Sequence, residues 1–549
     1  MKIFFVIPPY FNIDDFINKH RANVLPAFTI PYGILSLEAY LKSKCKNTVE
    51  IKILDLNVPL KEIVENPVED DVVKLLTDIV LAEVKEFKPD LVGISALFNS
   101  SFRYIEDIAG TVKSHDESTP VVAGGGLPSA AYVKMLEFCP SVDAICKGEG
   151  ELPLADLVDS DDWKETLETH KSWITREGLK QNKIPGHTFV QDLDDIPVLN
   201  YDVLDLNNYN SRSIDKRYIG KKKREMSIHT SRGCPFLCVF CSNPSLHGKD
   251  VRIMSIDKVV DEVKRMKDEY GLTVLMIEDD HFFHDVERAK EIMRRLIEFD
   301  IRIEFPNGVA VYAIDEEVAS LFAQAGVSTV ALAVESGSDY VLNKIIKKPL
   351  KKRLIKPAVE ALRKFGVQSH VFIVIGLPGE MPEHRNETLE MMLDSGFDWA
   401  HVYCAIPIFG SRLYDICADN GYIENTNSLD FINTKSVIRA PGVDPEEIEA
   451  MAYEMNLQAN FVHNANMKVG NYKTAINYFK NVCEKYPDHA FAHYYLSEAY
   501  RKSESSSDSS EKHYKEFVRI LNNDAWWMKK AEEYEIPYAL SGRLSKVAE

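Results

Sequence analysis

The chain has 549 residues, of which 45% are apolar and 27% charged, and this balance excludes a disordered or fibrous protein. A formal charge of −19, from 65 basic and 84 acidic residues, argues against duplex nucleic acid or an anionic membrane as the main partner. No apolar run of about 18 residues is present, so no membrane span is expected. The opening MKIFFVIPPYFN lacks the length and cleavage site of a signal peptide, which points to the cytoplasm.

Residues 1–155 alternate strand and helix signals. Strands are expected at 2–7, 50–55, 90–95, 120–123 and 142–146, with helices at 33–43, 71–87 and near 101–113 between them. Buried strands alternating with helices predict an α/β, doubly wound, Rossmann-like parallel sheet. Ligands of such sheets sit beyond the carboxyl ends of the strands, where Ser95 and the run Gly124-Gly125-Gly126 fall. Residues 156–221 are acidic and weakly periodic and are expected to form an ordered connector. The basic run Lys221-Lys222-Lys223-Arg224 at its end reads as solvated linker.

From 222 to 418 a second alternation predicts strands at 226–230, 274–279, 302–306, 329–335, 369–375 and 400–406. Six βα units imply a partial (β/α)6 barrel, with chemistry at the carboxyl ends of its strands. Asp279, Asn307, Glu335 and Glu380 lie at or just beyond those ends. Residues 419–549 read as an all-α domain. Gly470, Tyr472, Ala475, Phe479, Pro487 and Tyr500 have the spacing of one tetratricopeptide-like unit of about 34 residues. The run SESSSDSS at 503–510 reads as a polar loop.

Nine cysteines in a long chain do not suggest a disulfide framework. Cys45, Cys139, Cys146, Cys404, Cys417 and Cys483 are scattered and call for no special role. Cys234, Cys238 and Cys241 lie within HTSRGCPFLCVFCSNP. Three close thiolates can hold three irons of a 4Fe–4S cluster and leave the fourth iron open to an external ligand. A structural zinc completed by His229 or His247 is the alternative. His281 and His284, among the carboxylates of EDDHFFHD, raise the separate alternative of a metal site.

The Cys-x3-Cys-x2-Cys spacing, Gly233 before it, Phe240 ahead of the third cysteine and the barrel behind it resemble the radical S-adenosylmethionine (SAM) enzymes. The resemblance implies that SAM chelates the open iron and is cleaved by one electron to methionine and a 5′-deoxyadenosyl radical. It further implies SAM contacts at Phe240, Asp279, Glu335, Ser336, Gly376 and Glu380. An electron donor such as flavodoxin or ferredoxin and an anaerobic setting follow from it.

Ser95-x-Leu97, then Gly124-Gly125-Gly126, then Gly148-Glu149-Gly150-Glu151, resemble the cobalamin-binding domains of one radical SAM subclass. The contacts implied are Pro9, Tyr10, Ser95, Leu97, Gly124, Gly125, Gly126, Gly148 and Glu149. The family's Asp-x-His-x-x-Gly motif is absent, and Pro8-Pro9-Tyr10 stands in its place. Base-off cobalamin without a protein histidine ligand is therefore expected. The function implied is a methyltransferase moving a methyl group from SAM through methylcobalamin to an unactivated carbon, or phosphorus, of a small-molecule or peptidyl substrate. Cyclisation or another rearrangement without methyl transfer is the alternative, and a docking protein without catalysis is a remote one. The catalytic residues themselves are not evident from the sequence.

Overall fold

The structure is a computed structural model, and it describes residues 1–13, 28–65, 71–209, 224–423, 435–540 and 543–544. Near the N-terminus lie β1 (Lys2–Ile7), α1 (Tyr32–Lys44), β2 (Glu50–Asp55), α2 (Val72–Phe87), β3 (Leu91–Ser95), α3 (Phe102–His115), β4 (Val121–Gly124), α4 (Gly126–Phe138), β5 (Ala144–Cys146) and α5 (Glu151–Val158). Their sheet has the order β2-β1-β3-β4-β5, all parallel. Alternation along β1 makes it doubly wound. Phe4 and Val6 join one apolar core with Val80 and Val84 of α2 and Ile105 and Ile108 of α3. Ile3, Phe5 and Ile7 join the opposite core with Ile34 and Leu41 of α1 and Leu157 of α5.

A sixth strand, β6 (Trp173–Thr175), comes from within the stretch read as connector and pairs antiparallel with β5. Within residues 176–209 that stretch also carries short helical turns, at Leu193–Asp195, Tyr201–Val203 and Leu206–Tyr209. Its Leu193, Ile196, Leu199 and Tyr201 are buried in the same core as the barrel that follows. Lys221–Lys223 lie outside the described residues. Arg224 does not fit a solvated linker: it is buried, and its guanidinium donates to Asn207 at 3.4 Å.

The barrel strands are β7 (Glu225–Ile228), β8 (Val274–Ile277), β9 (Arg302–Glu304), β10 (Thr329–Glu335), β11 (Gln368–Ile375) and β12 (Trp399–Cys404). They form two parallel three-stranded half-barrels, ordered β9-β8-β7 and β10-β11-β12. A parallel bridge between Val309 and Leu332 joins the halves. In β11 Ser369, Val371, Ile373 and Ile375 are buried beneath the outer helices, while Gln368, His370, Phe372 and Val374 are half-buried and face the lumen.

The helical region begins with α6 (Pro445–Leu457), followed by α7 (Tyr472–Lys485), α8 (Ala490–Lys502), α9 (Ser507–Asn523) and α10 (Ala525–Glu533). It covers the open edge of β12. The Asn460 amide accepts from Ala400 N–H at 2.7 Å and donates to its carbonyl at 2.8 Å, and Asn456 treats Val402 the same way at 3.3 Å on both sides. An edge strand that would otherwise expose its ladder is thereby satisfied by two side chains. The serine run is not a loop throughout. Ser506 caps α9 by accepting from Ser509 N–H at 3.2 Å, so the second half of the run is helix.

Candidate functional site

The three cysteines sit on the loop that leaves β7. Gly233, at φ +97, opens it: a Cβ there would come within 2.5 Å of the Asp250 carbonyl. Its N–H donates to Asp280 at 2.9 Å, and Val239 N–H donates to Ile346 at 3.0 Å, so the loop is pinned at both ends. All three thiols are half-buried, and burial raises each pKa, that of Cys241 to about 12. Of the two histidines read as able to complete a zinc site, His247 holds Glu149 through Nδ1 at 2.8 Å, and His229 Nε2 lies 3.8 Å from Glu278.

The strand ends around this loop divide into braces and open groups. Asp279, read as a SAM contact, is a brace. It is buried and accepts from Thr230 N–H at 2.6 Å, Thr230 Oγ1 at 2.7 Å and Ser231 Oγ at 2.6 Å. Burial raises its pKa to about 6, against the lowering effect of those bonds. Ser336 is likewise tied to Thr388 Oγ1 at 3.1 Å. Gly376, at φ +85, is glycine because Ile448 of α6 would lie 2.8 Å from a Cβ. Glu380 folds back to accept from Gly376 N–H at 2.5 Å, and burial lifts its pKa to about 7. Its Oε1, and the Ser338 hydroxyl beside Ser336, are buried without protein partners. Glu335 ends β10 at φ +71, a strained conformation for a non-glycine residue, next to a break in strand register. Lys348 reaches it at 3.0 Å. Burial opposes the lysine's charge, but Glu335 and the neighbouring Cys238 favour it and raise its pKa. Phe240 is half-buried on the barrel core. Orphaned buried polar atoms, a strained carboxylate and a cation beside the thiols together fit a zwitterionic ligand such as SAM.

At the N-terminal sheet, Gly125 (φ +103) and Gly126 pack on the loop after β3, where a Cβ would meet the Ala96 and Leu97 carbonyls at 2.5 and 3.1 Å. That packing pushes Leu97 and Phe98 outward, 59% and 48% exposed. Tyr10 lies 5.6 Å from Phe98, ring to ring, and Pro9 is buried beneath it. Ser95 and Gly124 end adjacent paired strands. An apolar rim over glycine turns at strand ends fits a large planar ligand such as cobalamin.

Glu149 does a different job from the one expected. Its carboxylate accepts from Arg232 at 3.0 Å, from Arg252 at 2.8 Å and from His247. Arg232 also donates to Glu151 at 2.9 Å and to Ser36 at 3.2 Å. Burial disfavours the Glu149 charge, yet these partners hold its carboxyl well below the ordinary range. The closing segment of the first domain is thus bolted to the residues flanking the cysteine loop. Gly148 sits in the same joint, a Cβ there meeting His187 at 2.8 Å.

The B12-binding-domain model matches residues 21–158, and the radical SAM superfamily model matches 228–392. Cytidylyl-2-hydroxyethylphosphonate methyltransferase of Streptomyces wedmorensis is 31% identical over 479 residues, covering 79% of this chain and 87% of the relative. The chain belongs to the cobalamin-binding radical SAM enzymes. An uncharacterised methyltransferase of Pyrococcus horikoshii is 28% identical over 453 residues, covering 82% of this chain and 90% of its own. The fold is shared with the radical SAM methyltransferase TsrM of Kitasatospora setae, solved with cobalamin and a 4Fe-4S cluster, at a TM-score of 0.57 and 16% identity over 95% of this chain and 99% of that one.

In this radical SAM enzyme the lumen wall of the second half-barrel is aromatic and polar. Tyr478 of α7 donates to Gln368 Oε1 at 2.6 Å, so its oxygen accepts from His370 Nε2 at 2.8 Å. His370 Nδ1 must then accept from His401 Nε2 at 3.2 Å. Trp399 stacks on Tyr478 at 5.0 Å, and His401 on Tyr403 at 6.1 Å. On the cluster side, His281 Nε2 lies 2.7 Å from the Tyr312 hydroxyl and its ring 5.1 Å from Phe236. His281 and His284 do not form a metal site among the described residues. Lys348, Arg232, Tyr478 and the His370–His401 pair escaped the sequence reading. The half-buried alternation along β11 and β12 was the signal available for the last two.

Proposed function

We propose that this enzyme transfers a methyl group to an unactivated carbon of a small, uncharged or aromatic substrate held in the barrel lumen. The observation that carries this is the joint of Glu149 with Arg232 and Arg252, which fastens the cobalamin-type domain beside the cysteine loop. When bound, the cluster with SAM supplies one-electron chemistry and cobalamin a methyl group. The chain's own part is to hold and exclude. Cys234, Cys238 and Cys241 would ligate the cluster, and Glu335 with Lys348 would receive the charged end of SAM. Leu97, Phe98 and Tyr10 would carry the corrin face. Phe372, His401 and Tyr403 would wall the substrate from water. Leu97, Gly124, Gly125 and Gly126 support a cobalamin site without a protein imidazole below cobalt.

The phosphonate of the Streptomyces relative would need a cation at the substrate. Lys348, the cation beside the cysteine loop, is engaged by Glu335, and the aromatic wall of Phe372, His401 and Tyr403 favours an uncharged or aromatic acceptor. No described helix is long and apolar enough to cross a membrane, and we place the enzyme in an anaerobic cytoplasm with a flavodoxin- or ferredoxin-type electron donor. The test is anaerobic incubation with reductant, cobalamin, methyl-deuterated SAM and a panel of aromatic and phosphonate acceptors. A labelled methyl group in a product supports the proposal. Release of 5′-deoxyadenosine with a product lacking the label would instead assign rearrangement.

A further inference from the structure

Cys483, His493 and His513 come from three successive helices, α7, α8 and α9, and their ligand atoms all lie within 4.8 Å of one another. Cys483 and His493 are buried in the helical core, and His513 is half-buried at its edge. We propose that this trio is a zinc site that staples the C-terminal helices together, separate from the iron-sulfur and cobalamin centres.

The geometry of the imidazoles points this way. His493 Nε2 lies 2.9 Å from the Pro487 carbonyl, which accepts only, so that nitrogen carries the proton and Nδ1 presents a lone pair. A second ring nitrogen held by a backbone carbonyl is the usual support of a metal-bound histidine. The His493 Nδ1 lone pair accepts from His513 Nδ1 at 3.0 Å, a bond that a shared ion would replace. Two nitrogens on one tetrahedral zinc would stand about 3.3 Å apart, given bonds of about 2.0 Å. Burial disfavours the charged form of both rings. Two imidazoles and one thiolate are a borderline-soft set that suits zinc, with water or Glu516, whose charge is felt by both rings, for the fourth position.

A shared ion would link three helices of this core. Two of the three ligands bracket the turn at 486–489, and the third sits on the helix that begins within the serine run.

The test is elemental analysis of the full-length holoenzyme with its iron-sulfur cluster assembled, so that zinc cannot occupy the cysteine loop. About one zinc per chain is expected beside the iron. His513→Gln and Cys483→Ser should each lower zinc at least tenfold while the iron content stays at the wild-type value. Absence of zinc from wild-type protein after incubation with zinc, or wild-type zinc content in both variants, overturns the proposal. Should a variant lose its iron as well, wild-type protein stripped by dipicolinate decides. Uptake of about one zinc with a rise in melting temperature supports the site, and no uptake overturns it.

Discussion

The two half-barrels are built alike and anchored differently. The first, β7–β8–β9, is tied to the N-terminal domain by buried charge, through Arg232 and Arg252 on Glu149. The second, β10–β11–β12, is tied to the C-terminal helices by neutral amides, through Asn456 and Asn460 on β12 and Tyr478 on Gln368. The half that carries the cysteine loop is therefore fixed by interactions that fail badly when one partner is removed. The other half is fixed by neutral bonds of ordinary strength. A single barrel thus has one charged anchor and one neutral anchor.

The largest break is at the cysteines. Cys238→Ala removes a proposed cluster ligand, and 5′-deoxyadenosine formation should fall to background with loss of bound iron and its visible absorbance. Next is the charged joint. Glu149→Gln leaves the buried Arg252 without its anion and Arg232 with Glu151 alone, and should cost about 3–5 kcal/mol. It should also free the first domain, read as faster proteolysis of the 156–221 segment and loss of retained cobalamin; unchanged stability would refute the bolt. Lys348→Met should preserve iron content while lowering SAM cleavage by about 10- to 100-fold, as expected for a group one step removed from the cluster. On the neutral side, Asn460→Ala orphans the Ala400 N–H and carbonyl and should cost about 1–3 kcal/mol by urea unfolding. If this loss matched that of Glu149→Gln, the contrast between the two anchors would collapse.

The smallest effect is a pH slope. Burial holds His370 at about 3 and His401 at about 4, below the ordinary 6.5. The folded state then binds fewer protons than the unfolded chain below about 6.5, so this stability is complete above that pH and drains away as pH falls toward 4. His370→Phe with His401→Phe should flatten the decline of melting temperature between pH 6.5 and pH 4, and an unchanged slope would show that other groups carry it.

Much of this was legible in order along the chain. The strand periodicities placed all six barrel strands within two or three residues of their observed ends, and local spacing was enough to find the cysteine loop. Both depend on neighbours in sequence. The roles of Asp279, Gly376 and Glu149 were not legible, because each is set by a partner brought in from elsewhere: Thr230, Ile448 and Arg232.

The sequence by itself located the three-cysteine loop, the doubly wound sheet and the barrel, since these follow from short-range spacing and from the period of buried residues. Only the tertiary structure decided which acidic side chains brace and which remain open. It alone closed β12 with asparagines 54 and 60 residues away and brought Tyr478 to His370 across 108 residues. It also gathered Cys483, one of six cysteines that had seemed to need no role, with two histidines. A residue's type states what it can bond to, and whether it does so depends on which distant groups burial leaves without water.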